Sequence, residues 1–260
     1  MKNILIILLI GSTLSVFADP AVSEKKTAAS IENAKSSIPS VDQILDKNIK
    51  AMGGKAAIEK ITSRVMKGTL EIPAMGMTTS WEQQSKAPNK RFSSVEVLGM
   101  GKMQDGFDGV NGWSKNYQNT LEDKKGDELA RIKRECVFNR ELKFKEIYKQ
   151  LTVKGKQKVD TFEAYVVEGQ PTTGKNEQFL FDVQSGLLVG WNSSFENDAG
   201  LTEIKVVATN HREVDGVKLP HLLKMDLNLP NAQSLSLSVK IDQIRHNVPL
   251  EDSLFKKPSE

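Results

Sequence analysis

Asp105, Asp108 and Asn111 stand in the stretch MQDGFDGVNGW (residues 103–113), and each is followed by a glycine. Oxygen-bearing side chains on flexible backbone are the chemistry of a calcium loop. Such a loop needs acidic ligands two residues apart at its start and a bidentate glutamate at its end. Here the spacing is three, so the oxygens do not converge on one ion. The same residues suit a tight turn, because Asp-Gly and Asn-Gly tolerate the positive φ that hairpins demand. The expectation is a strand ending at Phe107, a turn over 108–112 and a new strand opening at Trp113.

The histidines are His211, His221 and His246. His211 and Glu213 lie two apart and would face one side of a strand, which is the start of a metal site. The pattern lacks a third ligand: there is no HExxH and no cysteine pair, and His221 stands beyond the turn at Leu219-Pro220. Nucleophile chemistry has as little support. No G-x-S-x-G elbow occurs, Gly99-x-Gly101 lacks the third glycine of a phosphate loop, and Cys136 falls on the apolar stripe of a helix. No catalytic residue, metal ligand or cofactor is assigned, so a non-catalytic binder is the expected class.

The elements that must position any site begin after an export signal. Lys2 precedes an apolar run over 4–10, and Val16-Phe17-Ala18 supplies small residues for cleavage after Ala18. The run is too short to span a bilayer, which predicts a periplasmic protein without an anchor. Of 260 residues, loss of the first 18 leaves 242, carrying 35 basic and 33 acidic side chains. That balance excludes nucleic acid as a partner. Cys136 is the one cysteine, so the core must stabilise itself without an internal disulfide.

Residues 19–39 are small, polar and charged, and read as a disordered leader to one domain over 40–260. Ser40 and Gln43 form a capping box, and Val41, Ile44, Leu45, Ile49 and Met52 mark one face of the helix that follows. Gly53-Gly54 ends it, and a short second helix is predicted over 55–61. From Ser63 the period changes to two. Met66, Leu70 and Ile72 alternate with polar neighbours, as do Leu223, Met225 and Leu227, and Leu235, Leu237 and Val239. Regular turn signals predict about ten antiparallel strands, one of them running unbroken over 201–214. One helical interruption is predicted over 124–151, with Leu129, Ile132 and Cys136 as its apolar stripe.

Residues 124–158 hold 12 basic and 5 acidic side chains. Two readings stay open: a solvated helix face, or a surface that docks on an anionic membrane or an acidic partner. A second alternative concerns the sheet. Its apolar face is too wide to leave in water, and the few helices must cover it as it curls. Either an apolar cavity sized for an acyl chain remains beneath them, or the core is filled.

Several phrases in order resemble the LolA-like superfamily, and most closely the outer-membrane lipoprotein-sorting group. They are ILDKNIKAMGG (44–54), SRVMKGTLEIP (63–73), KAPNK (86–90), GFDGVNGW (106–113), FDVQSGLL (181–188), REVDGVKLP (212–220) and NVPLEDSLFKKP (247–258). Together they spread over nearly all of the chain after Pro39. The resemblance implies an α+β protein: a strongly curved antiparallel β-sheet forming an unclosed barrel, with helices covering its concave apolar side. It implies acyl chains as ligands, from a lipid or an acylated lipoprotein, and it carries no catalytic motif to transfer. His221 stands where an aromatic residue is expected, which makes that edge of the site more polar. Alternation then nominates the cavity lining: Met66, Leu70, Trp81, Phe92, Phe179, Phe181 and Trp191 from the strands, with Leu129 and Ile132 from the helical cover. The competing reading is an envelope protein–protein interaction module with a filled core and no small ligand.

Overall fold

The structure, a computed structural model, describes residues 38–259 apart from 98 and 231–233. The export signal expected over 1–18, and the leader expected over 19–39 as far as residue 37, lie outside the described residues. The first described element is α1 (Val41–Ala51), whose capping box forms as the sequence predicts. Gln43 N donates to Ser40 Oγ at 3.3 Å, and Ser40 N donates to Gln43 Oε1 at 2.8 Å. Ile44 and Leu45 turn inward. Gly53 and Gly54, at φ 121° and 90°, let the chain leave the helix into the short α2 (Lys55–Glu59).

Six strands follow: β1 (Ser63–Ile72), β2 (Met77–Lys86), β3 (Lys90–Val97), β4 (Gly101–Phe107), β5 (Gly112–Lys115) and β6 (Leu121–Asp123). The helical α3 (Gly126–Glu135) and the single turn α4 (Phe144–Ile147) interrupt them. Then come β7 (Gln150–Val159), β8 (Phe162–Gln170), β9 (Glu177–Asp182), β10 (Leu188–Asn197) and β11 (Gly200–Thr209). The chain ends through β12 (Arg212–Val214), β13 (Val217–Leu219), β14 (Leu222–Asn228) and β15 (Leu235–His246). Asp108 makes the turn expected between β4 and β5: its Oδ1 accepts from the backbone of Val110 at 2.8 Å and of Asn111 at 2.7 Å.

Thirteen strands form one antiparallel sheet in the order β6-β5-β4-β3-β2-β1-β15-β14-β11-β10-β9-β8-β7, and β12 pairs with β13 apart from it. The sheet is not closed, since β6 and β7 are its two edges. Ten strands were too few because β6 spans three residues, too short to show alternation, and β7 begins inside the stretch expected to be helical. The strand expected over 201–214 also divides. Asn210 takes φ 56°, which ends β11 and sends 212–214 into the separate hairpin. The helical stretch expected over 124–151 is broken in the same way by Asn139 at φ 53°.

β6 and β7 are consecutive in the chain yet lie at opposite edges, so residues 124–149 must cross one face of the sheet. Ile132 and Cys136 on α3 pack on Phe107 of β4, while Arg131 lies 4.8 Å over the Phe195 ring of β10. Between β4 and β10 the sheet order places six strands, or about 34 Å if flat. One helix touching both requires the sheet to bend round it.

The inner face, beneath the crossing segment, holds two main clusters. Leu70, Ile72, Val239, Ile241 and Ile244 pack with Ile58, Ile61 and Phe138 in one. An extra residue, Asp242, bulges β15 opposite Lys67 and Gly68, so that Ile241 and Ile244 both face inward. In the other cluster, Val167, Phe179 and Phe181 pack with Ile44, Leu45, Phe144 and Tyr148. The outer face of β3 to β5 is covered by the C-terminal segment. Trp113 Nε1 donates to Phe255 O at 2.9 Å, and Phe92 contacts Trp113 at 6.1 Å between ring centroids. Gly106 permits this, because a Cβ there would stand 2.4 Å from the indole.

Candidate functional site

A cleft of about 430 Å³ opens between β3 to β6 on one side and β10, β11 and the end of β14 on the other, with α3 across its top. That volume falls in the usual range for small-ligand sites, about 300–1,000 Å³. Strand register explains its lining. Trp81, Val95 and Met103 are in register and form one row of the inner face; Gln83, Ser93, Asp105 and Ser114 form the next; Ser85, Arg91 and Phe107 form the third. Trp81, Val95 and Met103 are all half-buried. The cleft mouth is framed by Asn116 and Thr120, by Asn197 and Ala199, and by Leu229 and Pro230. From the mouth inward the floor therefore changes from apolar to hydrogen-bonding to charged. Two steps of two residues along β3 make that gradient about 13 Å long.

The charged end is organised on α3. Glu135 takes Arg131 through its Oε1 at 2.5 Å and Arg91 through its Oε2 at 3.6 Å. Burial works against its charge, but Arg131, Arg91 and Arg140 outweigh it and hold the carboxyl below the ordinary range. Ser93 Oγ donates to Asp105 Oδ1 at 2.7 Å in the middle row. Cys136, buried against Phe107 and Ile132, has its thiol pushed up to about 11 by burial, so it is an inert hydrophobe at neutral pH.

Beside Glu135, in the same last turn of α3, Arg134 ties the helix down on another side. Arg134 Nε donates to Glu177 Oε1 at 2.6 Å, and Tyr148 Oη donates to Glu177 Oε2 at 2.6 Å. Arg134 also reaches the carbonyl oxygens of Ala130 and Thr173. The Tyr148 ring lies on Gly169, where a Cβ would stand 2.7 Å away. Burial comes first, then the Glu177 charge, in raising the Tyr148 phenol far above its ordinary value, so it stays a donor.

The nominated residues do not form one site. Met66, Leu70 and Trp81 belong to the cluster around β1 and β15. Phe179 and Phe181 are fully buried, and Trp191 lies half-buried beside them. Leu129 and Ile132 pack near Phe107, and Ile132 alone of the nine lines the cleft. Phe92 is in register with Gly106 and Trp113 and so faces away from it. Alternation missed Arg91, Ser93 and Val95, because it gave the inner face of β3 to its aromatic residue. Gly106 was the available signal, since a strand glycine leaves room for an aromatic ring on its face.

His211 lies just before β12, in which Glu213 pairs with Lys218. His221 is buried with Nδ1 3.0 Å from Leu219 O. Within the basic segment Arg131, Arg134 and Arg140 point inward, Arg140 lying 5.4 Å over Phe179 and 5.7 Å over Trp191. Lys125, Lys133, Lys145 and Lys149 are exposed. Weakly hydrated, planar guanidinium tolerates aromatic surroundings better than ammonium.

Neither a family model nor a curated protein matches this sequence. Solved structures do match its fold. A LolA superfamily protein from Nitrosomonas europaea superposes with a TM-score of 0.54 at 13% identity, covering 85% of this chain and 99% of that one. A putative outer membrane lipoprotein-sorting protein domain from Vibrio parahaemolyticus gives 0.52 at 12% identity, covering 82% and 94%. A DUF1329 family protein from Desulfovibrio piger gives 0.52 at 13%, covering 83% and 97%. The chain has a LolA-like fold.

Proposed function

We propose that the protein is an exported, non-catalytic carrier or sensor that shelters the acyl chain of a lipid or an acylated lipoprotein in the periplasm. In this reading the bent sheet is a half-barrel, the crossing segment is its lid, and the cleft beneath α3 is the ligand space. The observation that carries it is the half-exposed pair Val95 and Met103, in register inside a cleft of about 430 Å³. Apolar surface left partly wet inside a bent sheet gains about 25 cal/mol per Å² when a ligand chain covers it. The shared fold with a lipoprotein-sorting domain supports the same class of ligand. Native mass spectrometry of protein purified from its own envelope tests this: a co-purifying lipid mass is expected, and repeated lipid-free spectra would reject it.

The second reading is an envelope protein–protein interaction module. The filled cluster around Phe179 and the exposed apolar residues Met75, Met100 and Leu201 favour it. The exposed lysines of 124–158 offer either reading a contact with an anionic membrane or an acidic partner. Vesicle binding insensitive to salt and to lipid charge would remove that contact.

A further inference from the structure

The charged end of the cleft carries groups that an acyl chain does not use. Arg131 lines the cleft, and its buried Nε–H has no hydrogen-bond partner among the described residues. The side chain is held in place: its Nη1 pairs with Glu135, and its plane lies over Phe195. Nε is therefore a donor fixed in direction. Arg91 reaches the same Glu135, so two guanidiniums share one carboxylate. Of the other acids lining the cleft, Asp105 accepts from Ser93 one row closer to the mouth, and Glu128 pairs with Lys124. A buried N–H without an acceptor is destabilising, and a ligand oxygen placed there relieves it.

We infer that this end of the cleft seats the oxyanion head, carboxylate or phosphate, of a single-chain amphiphile. The oxyanion lies against Arg131 Nε beside Arg91. Its chain runs past Ser93 over Val95 and Met103 to the mouth. The direction follows from the floor, which is charged at its inner end and apolar toward the mouth. The inference rests on the acyl-chain reading above and adds the head group and its orientation. Guanidinium recognises both oxyanions through charge-assisted hydrogen bonds, so the ligand arms of the test must separate them.

The test is displacement of the neutral apolar dye N-phenyl-1-naphthylamine by three ligands with the same chain: oleate, oleoyl lysophosphatidate and oleyl alcohol. The full chain is compared with Arg131→Met and Arg131→Lys. At least one anionic ligand is expected to bind the unaltered protein about tenfold or more tighter than the alcohol, as a charge-assisted hydrogen bond provides. Whichever anion is tighter names the head. Arg131→Met should bring the anions down to the alcohol's affinity measured on the same variant, and Arg131→Lys should keep part of the advantage. Equal binding of anions and alcohol to the unaltered protein overturns the head-group inference but leaves the acyl reading standing. No displacement by any of the three overturns both. The comparison within the unaltered protein decides the matter even if a variant does not fold.

Discussion

Across β8 and β9 the inner face is Val167, Phe179 and Phe181, all closed beneath Phe144 and Tyr148. Across β2, β3 and β4 the inner face is Trp81, Val95 and Met103, all half-exposed. Both regions belong to one sheet and lie under one crossing segment, yet only the first is filled. The difference comes from what the cover supplies. α1 and α4 bring Ile44, Leu45, Phe144 and Tyr148 down onto β8 and β9, whereas α3 brings Arg131 and Glu135 to the open side. A half built from aromatic rings stabilises the fold. A half built from a graded floor is free to hold something else.

Variants that separate stability from binding sharpen or break this contrast. Phe179→Ala should cost about 3–5 kcal/mol in denaturant unfolding and leave acyl-ligand affinity unchanged in whatever fraction stays folded. Tyr148→Phe removes one donor to Glu177 and should cost about 1.5–3 kcal/mol, again without touching affinity. Val95→Asp should do the reverse: affinity for an acyl probe falls about tenfold or more, with about 1 kcal/mol lost from stability. A large stability loss from Val95→Asp, or an affinity loss from Phe179→Ala, would erase the distinction.

Acid should reach the charged end of the cleft next. Glu135 ionises more readily folded than unfolded, so its contribution is present above its ordinary value of 4.5. It is lost as pH falls through the lower folded value. Glu135→Gln should therefore flatten the acid limb of a stability profile, and an unchanged limb would show that the arginines do not act through it. The smallest effect is expected at α1, where Ser40→Ala should cost about 1 kcal/mol through the cap.

Much of the fold was legible because its signals are local. The Ser40–Gln43 box, the Asp108 turn and the alternation in β1, β14 and β15 all depend on neighbours in sequence. The LolA-like resemblance rests on seven such local phrases in order. The sheet order was less legible, since nothing in 124–149 announces that it joins opposite edges. The site was least legible. Alternation shows that a strand has a dry face, but not which element dries it. Phe179 and Phe181 are dry because Phe144 fills the space above them. Phe92 is covered from the other face, where Phe255 and Trp113 lie. The basic segment read as one patch because charge counting treats Arg131 and Lys133 alike, while burial does not.

The most direct measurement is methyl NMR with a spin-labelled stearate added to the full chain. The label should broaden the methyl signals of Val95 and Ile132, on the floor and roof of the cleft, and leave those of Val167 sharp. Broadening of Val167 as strong as that of Val95, or no residue-specific broadening at all, would contradict the account.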